Sequence, residues 1–186
     1  MRPIQEIVQA CLQNERKAQF ELYDHCFDAM LSVCRRYERN EEFAIEIVNM
    51  AFIKVLKNLS KYQPNKPFTP WVCRIAVNQS IDRYRQKAKE RELFDAIEEK
   101  AHLSDISVST YSEVEWENEE YLQSLLEHLS ESEKTVFNLF AIDGYKHKEI
   151  ATQLGITERS SIRHLTNARN KLQQLIEEKQ MRIKKA

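Results

Sequence analysis

The stretch Lys148–Leu172, KEIATQLGITERSSIRHLTNARNKL, combines guanidinium and amide side chains with a helical apolar spacing. A helix of about two turns ends near Gly155, and Thr157 is a good N-cap for a longer helix. The predicted inner side of this second helix holds the apolar residues Ile162, Leu165, Ala168 and Leu172. Arginine can pair bidentately with guanine, and asparagine with adenine, from a helix in the major groove. The pattern is typical of a helix-turn-helix that binds duplex DNA.

Polar residues lie opposite the apolar stripe of this second helix or beside that opposite side. We predict that DNA is contacted by Thr157, Arg159, Ser160, Arg163, His164, Asn167 and Lys171. A pair of arginines on an isolated helix would usually be ordinary solvent-exposed surface residues, but the capped two-helix unit favours DNA binding. The sequence leaves open which of these residues contact bases and which contact phosphates.

Composition predicts an all-α fold. The chain of 186 residues has two glycines and four prolines, and it is rich in residues that favour helices. No apolar run approaches the roughly 20 residues that cross a bilayer, and no apolar signal core follows the start of the chain. We therefore expect a cytoplasmic protein that does not insert into a membrane.

The four cysteines do not form a metal-binding or catalytic pattern. Cys11, Cys26, Cys34 and Cys73 make no CxxC pair, and each lies at or near an apolar helical position. We expect reduced core residues, with no metal ion and no cofactor.

Charge divides the chain into three parts. Residues 1–90 contain 15 basic and 11 acidic side chains, residues 91–127 contain 2 and 11, and residues 128–186 contain 11 and 7. We predict two small helical domains, 1–90 and 128–186, that are joined by an acidic linker, 91–127, which is flexible or extended and helical only near its ends.

Apolar spacing predicts the helices of the first domain. The predicted stripe of one helix is Phe20, Tyr23, Phe27, Met30, Cys34 and Tyr37, and that of the next is Phe43, Ile47, Ala51, Val55 and Leu59. Three prolines in KYQPNKPFTP, Lys61–Pro70, exclude a helix there. The following helix is expected to run from Pro70, with Thr69 as its N-cap, to about Glu90 and to bury Trp71, Val72, Ile75 and Ile81.

Two stretches resemble RNA polymerase sigma factors of the extracytoplasmic-function (ECF) group, in the sigma-70 family. Residues 43–86 resemble sigma region 2, and FTPWVCRIAVNQSIDRYR, Phe68–Arg85, is close to the family pattern F-x-x-W-(L/V)-x-x-I-A-x-N-x-x-x-D-x-x-R. Residues 129–175 resemble sigma region 4. The resemblance implies a sigma factor that binds core polymerase, recognises the −10 and −35 promoter elements, melts DNA and starts transcription without catalysis of its own.

The resemblance implies two contacts with polymerase. The third helix of region 2 would bind the β′ clamp through the exposed residues Glu42, Glu46, Asn49 and Ile53. From periodicity alone, a solvated face explains these four residues equally well. The first helix of the second domain would face the β flap, and the acidic linker would follow the RNA exit path. Family members are commonly held by an anti-sigma factor, which makes one a candidate partner.

The resemblance also implies that the proline-rich loop and the helix behind it read the melted −10 element. A separated strand exposes base edges and faces, which suit amides, arginines and aromatic rings. The residues implied are Tyr62, Asn65, Lys66, Phe68, Arg74, Asn78, Asp82, Arg83 and Arg85. Trp71 is expected in the core instead, and Asp82 could simply pair with Arg85 or Gln86. The −35 element would be read by Thr157–Lys171, in which Arg159, Ile162 and Asn167 differ from common family residues.

Two other functions explain parts of the sequence less well. A stand-alone helix-turn-helix regulator of duplex DNA explains Lys148–Leu172 but gives no role to the Phe68–Arg85 helix, and it would need a dimer interface. An enzyme would need an exposed nucleophile or a phosphate loop, whereas the cysteines follow core stripes and the chain has no glycine-rich loop. We therefore expect neither catalysis nor a small-molecule substrate.

Overall fold

The computed structural model describes residues 2–95 and 119–185, and all regular structure within these ranges is helical. This confirms the predicted all-α fold. The chain divides into two compact units, Met1–Tyr84 and Arg85–Ala186. The middle of the predicted linker lies outside the described residues, but helices near its two ends, reaching Asp95 and starting at Glu119, agree with the prediction.

The first unit is built from three complete helices, a short 3₁₀ turn and most of a fourth helix. The bounds are α1 Ile4–Leu12, α2 Arg16–Tyr37, α3 Glu41–Asn58, the turn Leu59–Lys61 and α4 Phe68–Asp95. The α4 helix begins two residues earlier than the Thr69–Pro70 signal predicts. Pro70 is tolerated because amide groups in a first helical turn have no partner within the helix.

The buried side of α2 is rotated from the predicted aromatic stripe. Met30 and Cys34 are buried as predicted, but Leu22 and Cys26 take the other buried positions and Phe20 is 73% exposed. Two residues span about 200° of an α-helix, so Phe20 points away from Leu22. Tyr23 and Phe27 are half-buried at the edge of the core. Smaller side chains than predicted therefore form the seam between α2 and its neighbours.

Three further apolar residues in the first unit are less buried than predicted. Phe43 is 42% exposed at the start of α3, where Ala44 takes the buried position and the Arg83 guanidinium lies 5.6 Å from the Phe43 ring centre. In α4, Val72 and Ile81 are buried as predicted, but Trp71 and Ile75 are half-buried. Large side chains at the domain edge thus cover the core with one side only.

The cysteines are free thiols, and most lie in the core as predicted. Cys11, Cys26 and Cys34 are buried, and Cys73 is half-buried. Burial raises the pKa of the Cys26 and Cys34 thiols to about 12, so both stay protonated at neutral pH. They behave as small apolar core groups.

The second unit contains four further helices after the end of α4. They are α5 Glu119–Leu126, α6 Glu131–Phe137, α7 His147–Leu154 and α8 Glu158–Lys185, and a π-helical turn, Asn138–Ile142, extends α6. The α8 helix packs on α6 and α7. Its buried side, together with Val136, Leu139 and Ile150, forms the core that holds the helix-turn-helix.

Local signals place the ends of these helices. Ser130 and Glu133 form a capping box, with reciprocal hydrogen bonds of 3.3 and 2.9 Å between backbone amides and side chains. Gly155 ends α7 with a left-handed φ of 70°, which a residue with a Cβ adopts only at a cost. The helix-turn-helix therefore has a fixed turn between α7 and α8.

Candidate nucleic-acid interface

The first turn of α8 is fixed by its cap. The Thr157 side-chain oxygen accepts a hydrogen bond from the Ser160 amide at 3.0 Å and lies 2.8 Å from the Ser160 hydroxyl. This confirms Thr157 as the N-cap that the sequence predicted. Because the cap uses the oxygen of Thr157, its role in the geometry of α8 is established independently of any contact with DNA.

The α7 and α8 helices are tied together by a contact that the sequence did not predict. Nδ1 of His147 lies 2.9 Å from the Ser161 hydroxyl, and the His147 ring stacks on Phe140 at 4.4 Å. Burial lowers the pKa of His147, which favours the neutral ring that can accept the hydroxyl proton. The signal in the sequence was a serine at position 161, four residues before Leu165 on the inner side of α8.

The inner side of α8 differs from the prediction by one residue. Ser161 is fully buried beside Leu165, Ala168 and Leu172, whereas Ile162 is 44% exposed. Placing Ile162 in the core was therefore wrong. The polar Ser161 is tolerated in the core because its hydroxyl has a partner in His147.

The polar side of α8 is available to a ligand over its first three turns. Thr157 and Arg159 are exposed, and Ser160, Arg163, His164 and Asn167 are partly exposed. Burial and the neighbouring Arg163 charge lower the pKa of His164, so this ring favours the neutral form. Two arginines and an amide thus lie along one helix face.

Lys171, one of the predicted DNA contacts, is engaged within the protein. Its Nζ donates to both carboxylate oxygens of Glu133, at 3.0 and 2.8 Å. Burial acts to raise the pKa of Glu133, but hydrogen bonds from Lys171 and Ser130 outweigh it and hold this pKa below its usual value. In this structure Lys171 joins α8 to the capping box of α6 rather than presenting a free ammonium group.

The α4 helix presents Arg74, Asn78 and Asp82 on one side, whereas Arg83 lies on a different side of the helix. The Arg85 guanidinium donates to the backbone carbonyls of Thr152 and Gln153. Arg74, Asn78 and Asp82 are exposed, and Arg83 and Arg85 are partly exposed. Asp82 accepts a hydrogen bond from Lys54 of α3 at 2.7 Å, a partner that the pattern of α4 alone did not suggest. Residues 74, 78 and 82 follow one another at single-turn spacing and form a continuous surface strip.

The aromatic residues of the proline-rich loop point inward. Tyr62 and Phe68 are only 8% and 5% exposed, and their rings meet edge to face at 4.9 Å, with Trp71 beside both. Neither ring is therefore open to stack on a base, contrary to the sequence prediction for these two residues. The Tyr62 hydroxyl donates to the Lys66 carbonyl at 2.6 Å, which leaves Asn65 and Lys66 exposed at the tip.

The predicted polymerase-facing residues all lie on the exposed side of α3. Glu42, Glu46, Asn49 and Ile53 are exposed, as is Met50. Asn49 Oδ1 accepts a hydrogen bond of 2.8 Å from the Tyr23 hydroxyl of α2. This face combines two carboxylates with two exposed apolar side chains.

Two other kinds of site are absent from residues 2–95 and 119–185. No group of three or more histidine, cysteine, aspartate or glutamate residues there has an arrangement that could hold a metal ion. No helix in the described part of the chain has both the length and the apolar character that crossing a membrane requires.

Family comparisons match both units, in chain order. A model of sigma-70 region 2 matches residues 22–90, and a model of sigma-70 region 4 matches residues 119–172. The first match includes α3 and the proline-rich loop, and the second includes the whole helix-turn-helix. Together they cover both candidate surfaces.

Individual sigma factors are similar to this chain over different lengths. The ECF RNA polymerase sigma factor SigW of Bacillus subtilis (strain 168) is 30% identical over 84 residues, 45% of each protein. The RNA polymerase sigma factor SigZ of the same organism is 22% identical over 157 residues, 84% of this chain and 86% of SigZ. A solved structure of CnrH in complex with the cytosolic domain of CnrY has 21% identity and a TM-score of 0.46, covering 92% of this chain and 95% of CnrH.

These matches agree with the residues that pointed to the family. Both sigma regions are present, in the family's order, and each is helical in the structure. The alternative of a stand-alone regulator accounts only for the second region. The chain therefore belongs to the sigma-70 family of RNA polymerase sigma factors, in its extracytoplasmic-function group, and is a transcription initiation factor.

Proposed function

We propose that the first unit, taken as residues 1–90, binds the β′ clamp of core polymerase through α3. The surface is formed by Glu42, Glu46, Asn49 and Ile53, and all four side chains are exposed. Ile53 is 47% exposed and Met50 is 48% exposed, so a partner can bury apolar area in the middle of a polar rim. Carboxylates on this face favour a basic partner surface.

The same unit reads the −10 element as a separated strand. Asn78 and Asp82 lie one turn apart on the exposed strip of α4 and can hydrogen-bond to base edges, while Arg74, Arg83 and Arg85 neutralise phosphates. Asn65 and Lys66 add polar groups at the tip of the loop. Tyr62 and Phe68 support this surface from below, because their buried rings fix the loop on α4.

The second unit, taken as residues 128–186, reads the −35 element as duplex DNA through α8. Arg159, Arg163 and Asn167 are the side chains with the best reach for base edges and phosphates. Ser160 and His164 lie beside them, and Thr157 caps the helix end where a phosphate can bind. The first helix of this unit faces the β flap of polymerase.

Two further assignments come from the family. The acidic segment 91–127 follows the RNA exit path in polymerase, where its excess of nine negative charges is held by a basic channel. An anti-sigma factor holds the chain inactive by covering one or both polymerase-binding surfaces.

The observation that supports this function best is that each unit has an exposed polar helix strip outside its core, Arg74–Asp82 on α4 and Arg159–Asn167 on α8. The test is run-off transcription with core polymerase on a promoter selected from a randomised library. We expect a discrete transcript only when the chain is added. A chain that binds promoter duplex alone but gives no transcript with core polymerase would contradict the proposal.

A further inference from the structure

An apolar side chain lies exposed on the helix that carries the arginines. Ile162 is 44% exposed in the second turn of α8, although the neighbouring Ser161 and Leu165 are buried. The first two turns of a recognition helix are the part that reaches base edges in the major groove. Ile162 is thus at a depth where a base can contact it if α8 reads duplex DNA.

The surroundings of Ile162 favour DNA over an apolar protein surface. Arg159 precedes it by three residues and Arg163 follows it directly, so the apolar side chain lies beside the row of Arg159 and Arg163 on α8. Such a surface fits a groove that is lined by phosphates and has an apolar group on its floor. The major-groove floor offers one such group, the C5 methyl of thymine.

The side chain and backbone at this position have little freedom to lose on binding. Isoleucine is β-branched, so in a helix it is restricted to one strongly preferred χ1 rotamer. The Thr166 hydroxyl donates to the Ile162 carbonyl at 3.0 Å, within the same helix face. A stiff apolar group discriminates a methyl from a hydrogen better than a flexible one does.

We propose that Ile162 is a specificity-determining residue that contacts a thymine methyl in the −35 element. The proposal rests on the proposed function of α8. It implies that the upstream element recognised by this chain contains a thymine whose methyl contributes to affinity. Burial of one methyl group against Ile162 corresponds to about a fourfold gain in affinity.

The experiment uses the full chain with core polymerase and a promoter library in which only the upstream element is randomised. Bound duplexes are selected and sequenced, and the best one is then prepared with each upstream thymine replaced in turn by deoxyuridine. This replacement removes the methyl and leaves every hydrogen-bonding group in place. Binding of each duplex is measured for the wild-type chain and for variants.

Three variants separate the role of Ile162 from general effects. Ile162→Ala removes the contacting group, and Ile162→Val keeps a β-branched apolar side chain. Leu12→Ala is the matched control, because Leu12 is 43% exposed and lies on α1 in the first unit. Helical content of each variant is checked by circular dichroism before binding is compared.

We expect deoxyuridine at one upstream position to weaken wild-type and Leu12→Ala binding about fourfold. Ile162→Ala should bind the thymine and deoxyuridine duplexes equally, and Ile162→Val should keep most of the preference. Equal wild-type binding at every position would overturn the proposal, as would a preference that persists in Ile162→Ala. If no upstream sequence is selected at all, the assignment of α8 to the −35 element fails, and this inference fails with it.

Discussion

Glu133 shows how one side chain can fix a helix end and a neighbouring helix at once. It closes the capping box with Ser130 and accepts two hydrogen bonds from Lys171, and its side chain is 7% exposed. The capping box can be read from the sequence because its two partners lie three residues apart. The pair with Lys171, which is 38 residues away, cannot be read in this way, and that lysine was assigned to DNA.

Glu133→Gln should therefore destabilise the second unit in a pH-dependent way. The pKa of Glu133 is lowered in the folded state, so its charge stabilises the fold above the unfolded pKa of about 4.3. That stabilisation is lost as pH falls through the folded pKa. Since half of the Lys171 side chain is exposed, we expect a cost of about 1 kcal/mol at pH 7.

Urea unfolding of wild type and Glu133→Gln between pH 3 and 7 measures this effect. The free energies of unfolding of the two proteins should become equal near pH 3. Lys171→Met is the matched partner variant. If the pair acts as a unit, the free energy of unfolding of the double variant should be no lower than that of the less stable single variant. Additive losses, or a difference that does not change with pH, would show that the pair does not stabilise α8.

Arg163 is the residue whose removal should affect promoter choice most directly. A guanidinium that pairs with a base edge contributes about 1–3 kcal/mol of discrimination. Arg163→Ala should therefore reduce upstream-element discrimination by roughly tenfold, without changing affinity for core polymerase. Competition between selected and scrambled upstream elements measures the first quantity, and co-purification with core polymerase measures the second. Unchanged promoter choice would count against α8 as the recognition helix.

At the scale of elements, the sequence predicted which segments form helices, but it did not always predict which side of a helix is buried. The predicted α2 stripe was right for Met30 and Cys34, but Leu22 and Cys26 are buried where the stripe placed Phe20, Tyr23 and Phe27. On α8, hydropathy favours Ile162 as a core residue over Ser161. The partner that admits Ser161 to the core, His147, comes from another helix, so no local rule could reveal it.

The surfaces of α3 and α4 were predicted better than the loop between them. Exposed helix faces follow from the apolar stripe once its phase is right, as for Glu42, Glu46 and Asn49. The loop has no period, so the inward turn of Tyr62 and Phe68 depends on Trp71 and on the tertiary packing of three rings. Aromatic residues next to prolines were consistent either with burial in the core or with contact to a base.

The exposed strip of α4 leads to a prediction about strand opening. Asn78 is exposed between Arg74 and Asp82, and an amide there can replace hydrogen bonds that a base loses when the duplex opens. Asn78→Ala should slow promoter opening severalfold while leaving the folded state and duplex capture intact. Permanganate reactivity of unpaired thymines, followed over time with holoenzyme, measures opening. Leu12→Ala is the control, because Leu12 lies on α1 outside the proposed DNA-binding strip. Equal reactivity of wild type and Asn78→Ala would refute the assignment.

At the scale of the whole molecule, the arrangement of charge along the chain matters more than its total. The net charge is −1, yet residues 91–127 contain nine more acidic than basic side chains, and the segments on either side are each net basic. An acidic segment tethered to two DNA-binding units competes with DNA for their basic groups. The free chain should accordingly bind DNA weakly, and binding to core polymerase should relieve the competition once the segment has a basic partner of its own.

Neutralising this segment should strengthen DNA binding by the free chain but not by the holoenzyme. We would replace five glutamates with glutamine at Glu113, Glu115, Glu117, Glu119 and Glu120. Affinity of the free chain for promoter duplex should rise about tenfold at low salt, and the difference should shrink as salt screens the charges. Alanine at Ser104, Ser107, Ser109 and Ser112 is the control, because it changes the same segment without changing its charge. Equal affinities of the glutamine variant and wild type at low salt would mean that the acidic segment does not restrain the DNA-binding surfaces, and that core polymerase activates them by another route.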